Sequence, residues 1–358
     1  MAPNVTPAQT ILQKARADHA ERAKQGIEQR APTRLRRTFY KSLPVAYPKD
    51  TFLSPLSDPS TQIKVKRIDF KNSVLPEYKN CFAVVLDGVL SKAECEDLLK
   101  YAEMSVGAHG NHPPPLKEGE VESEKDAAER LVLTDPLDNG WKPALVNAGR
   151  NWEVLALDYR NSDRIIWDEG EIAKRIWKRI LQGEGMSEYF QELKGKAYVP
   201  VVGGSAEWEG EKRVVTDQGL NERMRFLKYG PGQFFKEHCD GQYESEDGLQ
   251  ESFFTCHLYL NDSVQALSPS SENGNQNDND DPSLLRGGAT TFHSIKPGKR
   301  MDIDPLAGRV LVFQQRKLLH SGDEVLSGTK YTMRSDVMYR SESEEIEEGQ
   351  EQGGVVFG

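Results

Sequence analysis

The chain of 358 residues is 37% hydrophobic and carries 46 Lys/Arg against 56 Asp/Glu, a formal net charge of −10. It is long enough to bury a sizeable core, and its acidity argues against a general nucleic-acid partner. No apolar run approaches membrane-spanning length and the N-terminus lacks the apolar stretch of a secretory signal, so the expectation is a cytoplasmic or nuclear protein, not secreted and without a membrane partner. Cys81, Cys95, Cys239 and Cys256 show no paired spacing and read as reduced, buried thiols.

Residues 1–77 read as a basic N-terminal extension, partly helical or mobile; the first fifty hold ten Lys/Arg against four Asp/Glu, and residues 8–30 are rich in Ala, Gln and Arg. Ser91 and Glu94 form a capping box, after which Cys95, Leu98, Leu99 and Ala102 line one face of a helix. Residues 105–150 are irregular, with Pro113-Pro114-Pro115 and a charged stretch from Lys117 to Arg130. In the polar run from Tyr159 to Arg164, the two arginines Arg160 and Arg164 read first as surface or scaffold partners, with contact to a substrate as the alternative. A second helix is expected from Glu169 to Leu181, burying Ile172, Ile176 and Ile180.

Strands follow. Arg225–Tyr229, a Pro231-Gly232 turn and a strand ending at His238 and Asp240 form the first group. Phe253–Leu260, Gly287–Phe292 and Gly308–Phe313 read as three more, the last running into His320. Lys330–Tyr339 is a final strand on which Lys330, Thr332 and Arg334 share one face. Residues 262–286, rich in Ser, Asn, Asp and Pro, read as a flexible insertion, and residues 341–358 as an acidic disordered tail.

His238 and Asp240, two residues apart on a strand, face the same way, and His320 from a distant strand completes a triangle. Two neutral imidazoles and one carboxylate suit non-haem Fe(II) and leave positions open for ligands and oxygen. A lone His-x-Asp among seven histidines is weak evidence, being more often solvated or hydrogen-bonded. Its surroundings change the weight. His257 reads as a wall or core residue, His293 is undecided by position alone, and His19, His109 and His112 read as solvated.

In order, the chain presents His238/Asp240, Tyr259-Leu260-Asn261, Gly287-Gly288-Ala289-Thr290-Thr291-Phe292, Gly308-Arg309 with an apolar run to Phe313, then His320, then Lys330. Residues 78–340 thereby resemble the catalytic domain of the prolyl 4-hydroxylase branch of the Fe(II)/2-oxoglutarate dioxygenases. The resemblance implies an α+β, mainly β fold, with a double-stranded β-helix (jelly-roll, cupin-like) core and flanking N-terminal helices. It implies Fe(2+) on His238, Asp240 and His320, 2-oxoglutarate with its distal carboxylate on Lys330, O2 as oxidant, and ascorbate as a candidate co-reductant. Tyr229 and Tyr259 stand where the family places hydroxyls for the co-substrate, with ordinary aromatic core as the plain alternative. Arg334, on the face of Lys330, is left open between co-substrate, substrate anion and a surface carboxylate. The implied reaction hydroxylates an unactivated C–H bond and turns 2-oxoglutarate into succinate and CO2. A prolyl residue of a peptide or protein is the first expected substrate, a small-molecule metabolite the second, and a non-catalytic iron and 2-oxoglutarate sensor the third reading.

Overall fold

The structure is a computed structural model in which residues 36–37, 42–106, 140–147, 152–203, 211–268 and 281–343 are described. It is mainly β with few helices. The larger sheet has ten strands. Neighbour to neighbour it runs Lys64–Arg67, Ala83–Asp87, Val310–Gln314, Gln250–Tyr259, Lys330–Ser343, Arg223–Tyr229, Asp163–Asp168 and Lys142–Pro143, with Glu211–Leu220 and Glu192–Lys194 branching from the Lys330–Ser343 strand. A five-stranded sheet runs Arg300–Ile303, Thr290–His293, His320–Gly322, Phe234–His238 and Arg160–Asn161.

The Gln250–Tyr259 strand explains how the larger sheet has two different faces. Successive side chains alternate across a sheet. Phe254, Cys256 and Leu258 therefore enter a core shared with helix residues Leu98, Ile172, Ile176 and Ile180, all completely buried. Each such side chain contributes about 2 kcal/mol relative to exposure. Thr255 and His257 point the other way and line a pocket with residues of the smaller sheet. Being covered on both sides, the strand is nearly all apolar or neutral, the composition expected of a strand buried on two faces.

The helices form where the spacing predicts them. Lys92–Val106 starts at a reciprocal capping box, in which the Ser91 amide donates to Glu94 Oε2 at 2.8 Å and the Glu94 amide donates to Ser91 Oγ at 3.3 Å. Gly170–Leu181 buries Ile172, Ile176 and Ile180 on one face. Arg179 of this helix donates from both terminal nitrogens to the Glu94 carboxylate, at 2.7 and 2.9 Å, and so joins the two helices. Among the described residues, no helix is long and apolar enough to cross a membrane.

Several expectations need correction. Residues 42–77 do not hang off the domain. Lys64–Arg67 pairs with Ala83–Asp87, and Phe52, Leu53, Ile63, Phe70 and Leu75 are buried, because the apolar positions in this otherwise basic segment complete the core. The expected Gly287–Phe292 strand splits into Arg286–Gly287 and Thr290–His293, since Gly287 and Gly288 both take positive φ and turn the chain between sheets. Strand Phe234–His238 stops at His238, so Asp240 lies just beyond it, and Cys239 between them is exposed rather than buried. The final strand continues to Ser343, into the first residues of the expected tail, by pairing with Glu211–Leu220. At the start of the expected insertion, Val264–Leu267 forms a short helix capped by the Ser263 hydroxyl. The 8–30 stretch, His19, His109, His112, residues 113–130, residues 269–280 and the tail after Ser343 lie outside the described residues.

Candidate metal and co-substrate site

His238 closes one strand of the smaller sheet and pairs with His320, which opens the neighbouring strand. Asp240, two residues past His238, completes a cluster whose ligand atoms all lie within 4.8 Å of one another. His238 Nε2 is 3.6 Å from Asp240 Oδ1, and His320 Nε2 is 3.7 Å from Asp240 Oδ2. In both rings Nδ1 sits against a backbone carbonyl, that of Lys236 at 2.7 Å and that of Leu318 at 3.0 Å. A carbonyl only accepts, so each Nδ1 carries the proton and each Nε2 lone pair is turned toward Asp240.

The electrostatics keep His320 and Asp240 in ligating form. Burial lowers His320 to about 4, so its imidazole is neutral at physiological pH. Burial would raise Asp240, but the charge of the neighbouring Arg334 guanidinium outweighs it and holds the carboxyl well below the usual range. Thr255 Oγ1 donates to Asp240 Oδ2 at 2.6 Å and Arg334 Nη2 lies 3.3 Å from Oδ1, so both carboxylate oxygens are oriented. Phe235 stacks on the His238 ring at 3.7 Å between centroids, and Phe313 packs edge-on against His320 at 4.7 Å.

Lys330 lines the same pocket. It is only 1% exposed, and burial lowers it to about 8. Its Nζ lies 5.2 Å from the ring of Tyr229 and 5.7 Å from that of Tyr259, and among the described residues no carboxylate comes within 4 Å of it. In the pocket lining, His257 Nε2 and Thr290 Oγ1 are buried and have no hydrogen-bond partner. Buried polar atoms are normally satisfied, so a buried ammonium and these two orphaned polar atoms around one pocket indicate a polar anionic ligand. Gly288, at φ +70°, leaves the lysine its path, because a Cβ there would stand 3.1 Å from Lys330 Cδ.

The other expected residues fall in three places. Tyr229 lines the pocket, whereas the Tyr259 hydroxyl donates to the Ile303 carbonyl at 3.3 Å and the ring belongs to the core. Arg334 faces Asp240 and Asp336, so the surface-carboxylate alternative does not apply. His293 lies in an adjoining open groove, its Nε2 2.7 Å from Ser321 Oγ. Arg160 is buried in the pocket wall, contrary to the surface alternative, and Arg164 pairs with Glu153 at 2.9 Å. Sequence reading missed Thr255 and Phe235. The period-two alternation through His257 carries a signal for Thr255; nothing local marks Phe235.

Two imidazoles, one carboxylate and a facing buried cation fit a ferrous ion and a dicarboxylate. The match to a family model agrees on class. Residues 224–335 match the model of the 2OG-Fe(II) oxygenase superfamily, a span that contains every group just described except Arg160, Arg164, Glu153 and Asp336. That span is similar to the 2OG-Fe(II) oxygenase superfamily, and the protein is an enzyme, a 2-oxoglutarate-dependent dioxygenase. No curated protein matches it over its sequence. Among solved structures it is similar to the viral collagen prolyl hydroxylase of Paramecium Bursaria Chlorella virus-1, at 16% identity over 72% of this chain and 96% of the other, with TM-score 0.36. It is similar also to a Pseudomonas putida prolyl-4-hydroxylase, at 14% identity over 81% and 98%, with TM-score 0.35. A Trichoplax adhaerens prolyl hydroxylase, solved with a hypoxia inducible factor peptide fragment, is 16% identical over 56% and 70%, with TM-score 0.33. These likenesses are distant, and the assignment rests on the match over residues 224–335.

Proposed function

We propose that His238, Asp240 and His320 hold Fe(II), that Lys330 binds the distal carboxylate of 2-oxoglutarate, and that the enzyme hydroxylates an unactivated C–H bond in a prolyl residue of a peptide or protein. The two facing sheets are read as a double-stranded β-helix spanning about residues 42–343. The observation that carries this reading is Lys330, a buried ammonium with no carboxylate within 4 Å among the described residues, in one pocket with the triad. Iron and 2-oxoglutarate supply the oxidising chemistry when bound, with 2-oxoglutarate leaving as succinate and CO2. The chain's own part is positional: Thr255 and Arg334 orient Asp240, the two backbone carbonyls fix the imidazole tautomers, and Phe235 and Phe313 exclude water from the ligand rings.

The peptide reading is supported by the ordered motifs from His238 to Lys330 and by the open groove of Tyr159, Phe234, Phe235, His293 and Ser321 to Glu324, which shares Phe235, Ser321 and Gly322 with the inner pocket. An extended substrate has room there; a small metabolite needs only the pocket. Succinate release from 2-oxoglutarate by purified protein with Fe(II), over a pool of peptides and metabolites, tests the proposal against His238→Ala and Lys330→Ala. Dependence on both residues supports it, and omission of ascorbate tests that co-reductant. If neither iron nor 2-oxoglutarate binds, the reading is wrong.

A further inference from the structure

Arg160 stands on the edge strand of the smaller sheet, its Cα paired with Phe235, and is 8% exposed. Its guanidinium carbon lies 4.7 Å from the centre of the Phe235 ring, the ring that stacks on His238. Nη1 donates to the Leu145 carbonyl at 3.3 Å, while Nε is buried with no partner. One neutral acceptor for a group with five donors is poor compensation for taking a permanent charge out of water.

The other charges of the site are matched. Arg334 faces Asp240 at 3.3 Å and Asp336 at 3.2 Å, Arg225 faces Asp336 at 2.9 Å, and Arg164 faces Glu153 at 2.9 Å. Fe(II) and 2-oxoglutarate cancel in net charge, and Lys330 takes one end of the co-substrate. Arg160 is then a second buried cation, with no carboxylate within 4 Å among the described residues. A scaffold role would supply such a carboxylate, as Glu153 does for Arg164.

We propose that Arg160 binds a carboxylate of the substrate, so that the molecule hydroxylated by this enzyme is an acid held beside the metal by a guanidinium–carboxylate pair. The inference rests on the assignment of Lys330 to 2-oxoglutarate and names the substrate class of that same site. A planar guanidinium takes a carboxylate through two parallel hydrogen bonds, which fixes the direction of the bound molecule as well as its affinity. The carboxylate comes either from a free acid or chain terminus, or from an Asp or Glu side chain within a peptide.

The test uses full-length protein loaded with Mn(II) and saturated with 2-oxoglutarate, and reads the paramagnetic broadening of probe proton signals by NMR. The probes are N-acetyl-L-proline, its neutral amide, and N-acetyl-L-aspartyl-L-prolinamide. The expected result is broadening of one or both acids and little of the amide, falling about tenfold or more in Arg160→Gln and less in Arg160→Lys, with 2-oxoglutarate affinity held. Which acid responds distinguishes the two sources. Equal broadening of the amide, no broadening of either acid, or an unchanged Arg160→Gln response overturns the inference. Should Arg160→Gln fail to fold, phenylglyoxal modification of Arg160 in the wild type decides: protection by the acid probes and not by the amide supports the pair, and equal protection or none overturns it. If 2-oxoglutarate binds equally well to Lys330→Ala, the functional reading itself fails first.

Discussion

Arg334 Nη2 and Asp240 Oδ1 lie 3.3 Å apart, joining the final strand of the larger sheet to the turn that follows the His238 strand. The pair is partly buried, the Arg334 side chain 22% exposed and that of Asp240 7%, and burial pulls Arg334 down less than Asp240 and Asp336 hold it up. Removing one partner of a buried pair leaves the other charge uncompensated. Arg334→Leu is expected to lower unfolding free energy by about 3 kcal/mol, measured by urea denaturation of the metal-free protein. Adding Mn(II) should recover part of the loss, since the ion supplies positive charge at the same carboxylate. A loss below about 1 kcal/mol would show the pair to be of little weight.

Thr255 acts on the other oxygen of that carboxylate, at 2.6 Å. Thr255→Val keeps the shape of the side chain and removes the donor. Groups that orient metal ligands typically change affinity 10- to 100-fold, so Mn(II) titration is expected to show at least about tenfold weaker binding. Unchanged affinity would mean that Arg334 alone orients Asp240.

Lys330 is expected to tie co-substrate binding to pH. Its folded-state value is lowered by burial from 10.5 to about 8. Below about 8 the ammonium is charged and pairs with the dicarboxylate; above it, binding must first take up a proton. The dissociation constant for 2-oxoglutarate should therefore rise with pH above about 8, by up to about tenfold per unit, and a flat profile from about 7 to 9.5 would contradict the assignment.

The same shift has a stability consequence of opposite sense. A lysine whose folded value is depressed destabilises the fold below that value, and the penalty fades as pH climbs from about 8 to 10.5. Lys330→Met removes the buried charge and is expected to raise the melting temperature of ligand-free protein at about pH 7, while abolishing stabilisation by 2-oxoglutarate. Thermal melts with and without 2-oxoglutarate check both parts; a lower melting temperature would mean that the ammonium has a partner in the ligand-free protein.

Gly308 shows why the Gly-Arg pair of the sequence matters structurally. At φ +77°, a Cβ there would stand 1.8 Å from the Leu90 carbonyl oxygen, while Arg309 pairs with both oxygens of Asp87, at 2.6 and 3.0 Å. Gly308→Ala combines a disfavoured dihedral with a backbone clash and should cost about 3 kcal/mol or more in urea denaturation. None of Gly308, Arg309, Leu90 and Asp87 lines the pocket of the metal cluster, so folded variant protein should still bind Mn(II).

His238 and Asp240 were legible together because a spacing of two along a strand is a local property, whereas His320 and Lys330 were legible only from their place in the ordered motifs of the resembled family. The two main helices were legible from local pattern too: an apolar stripe in each, and a capping box before the first, are written within fifteen residues. What tertiary structure decided is contact between distant segments. That residues 42–77 enter the core, that Thr255 and Arg334 grip Asp240 from two strands, and that Arg160 is buried beside Phe235 without an acid partner among the described residues all depend on strand order. Period two tells which face a side chain takes, but only the closing of one sheet over another decides which buried charges are left to meet a ligand.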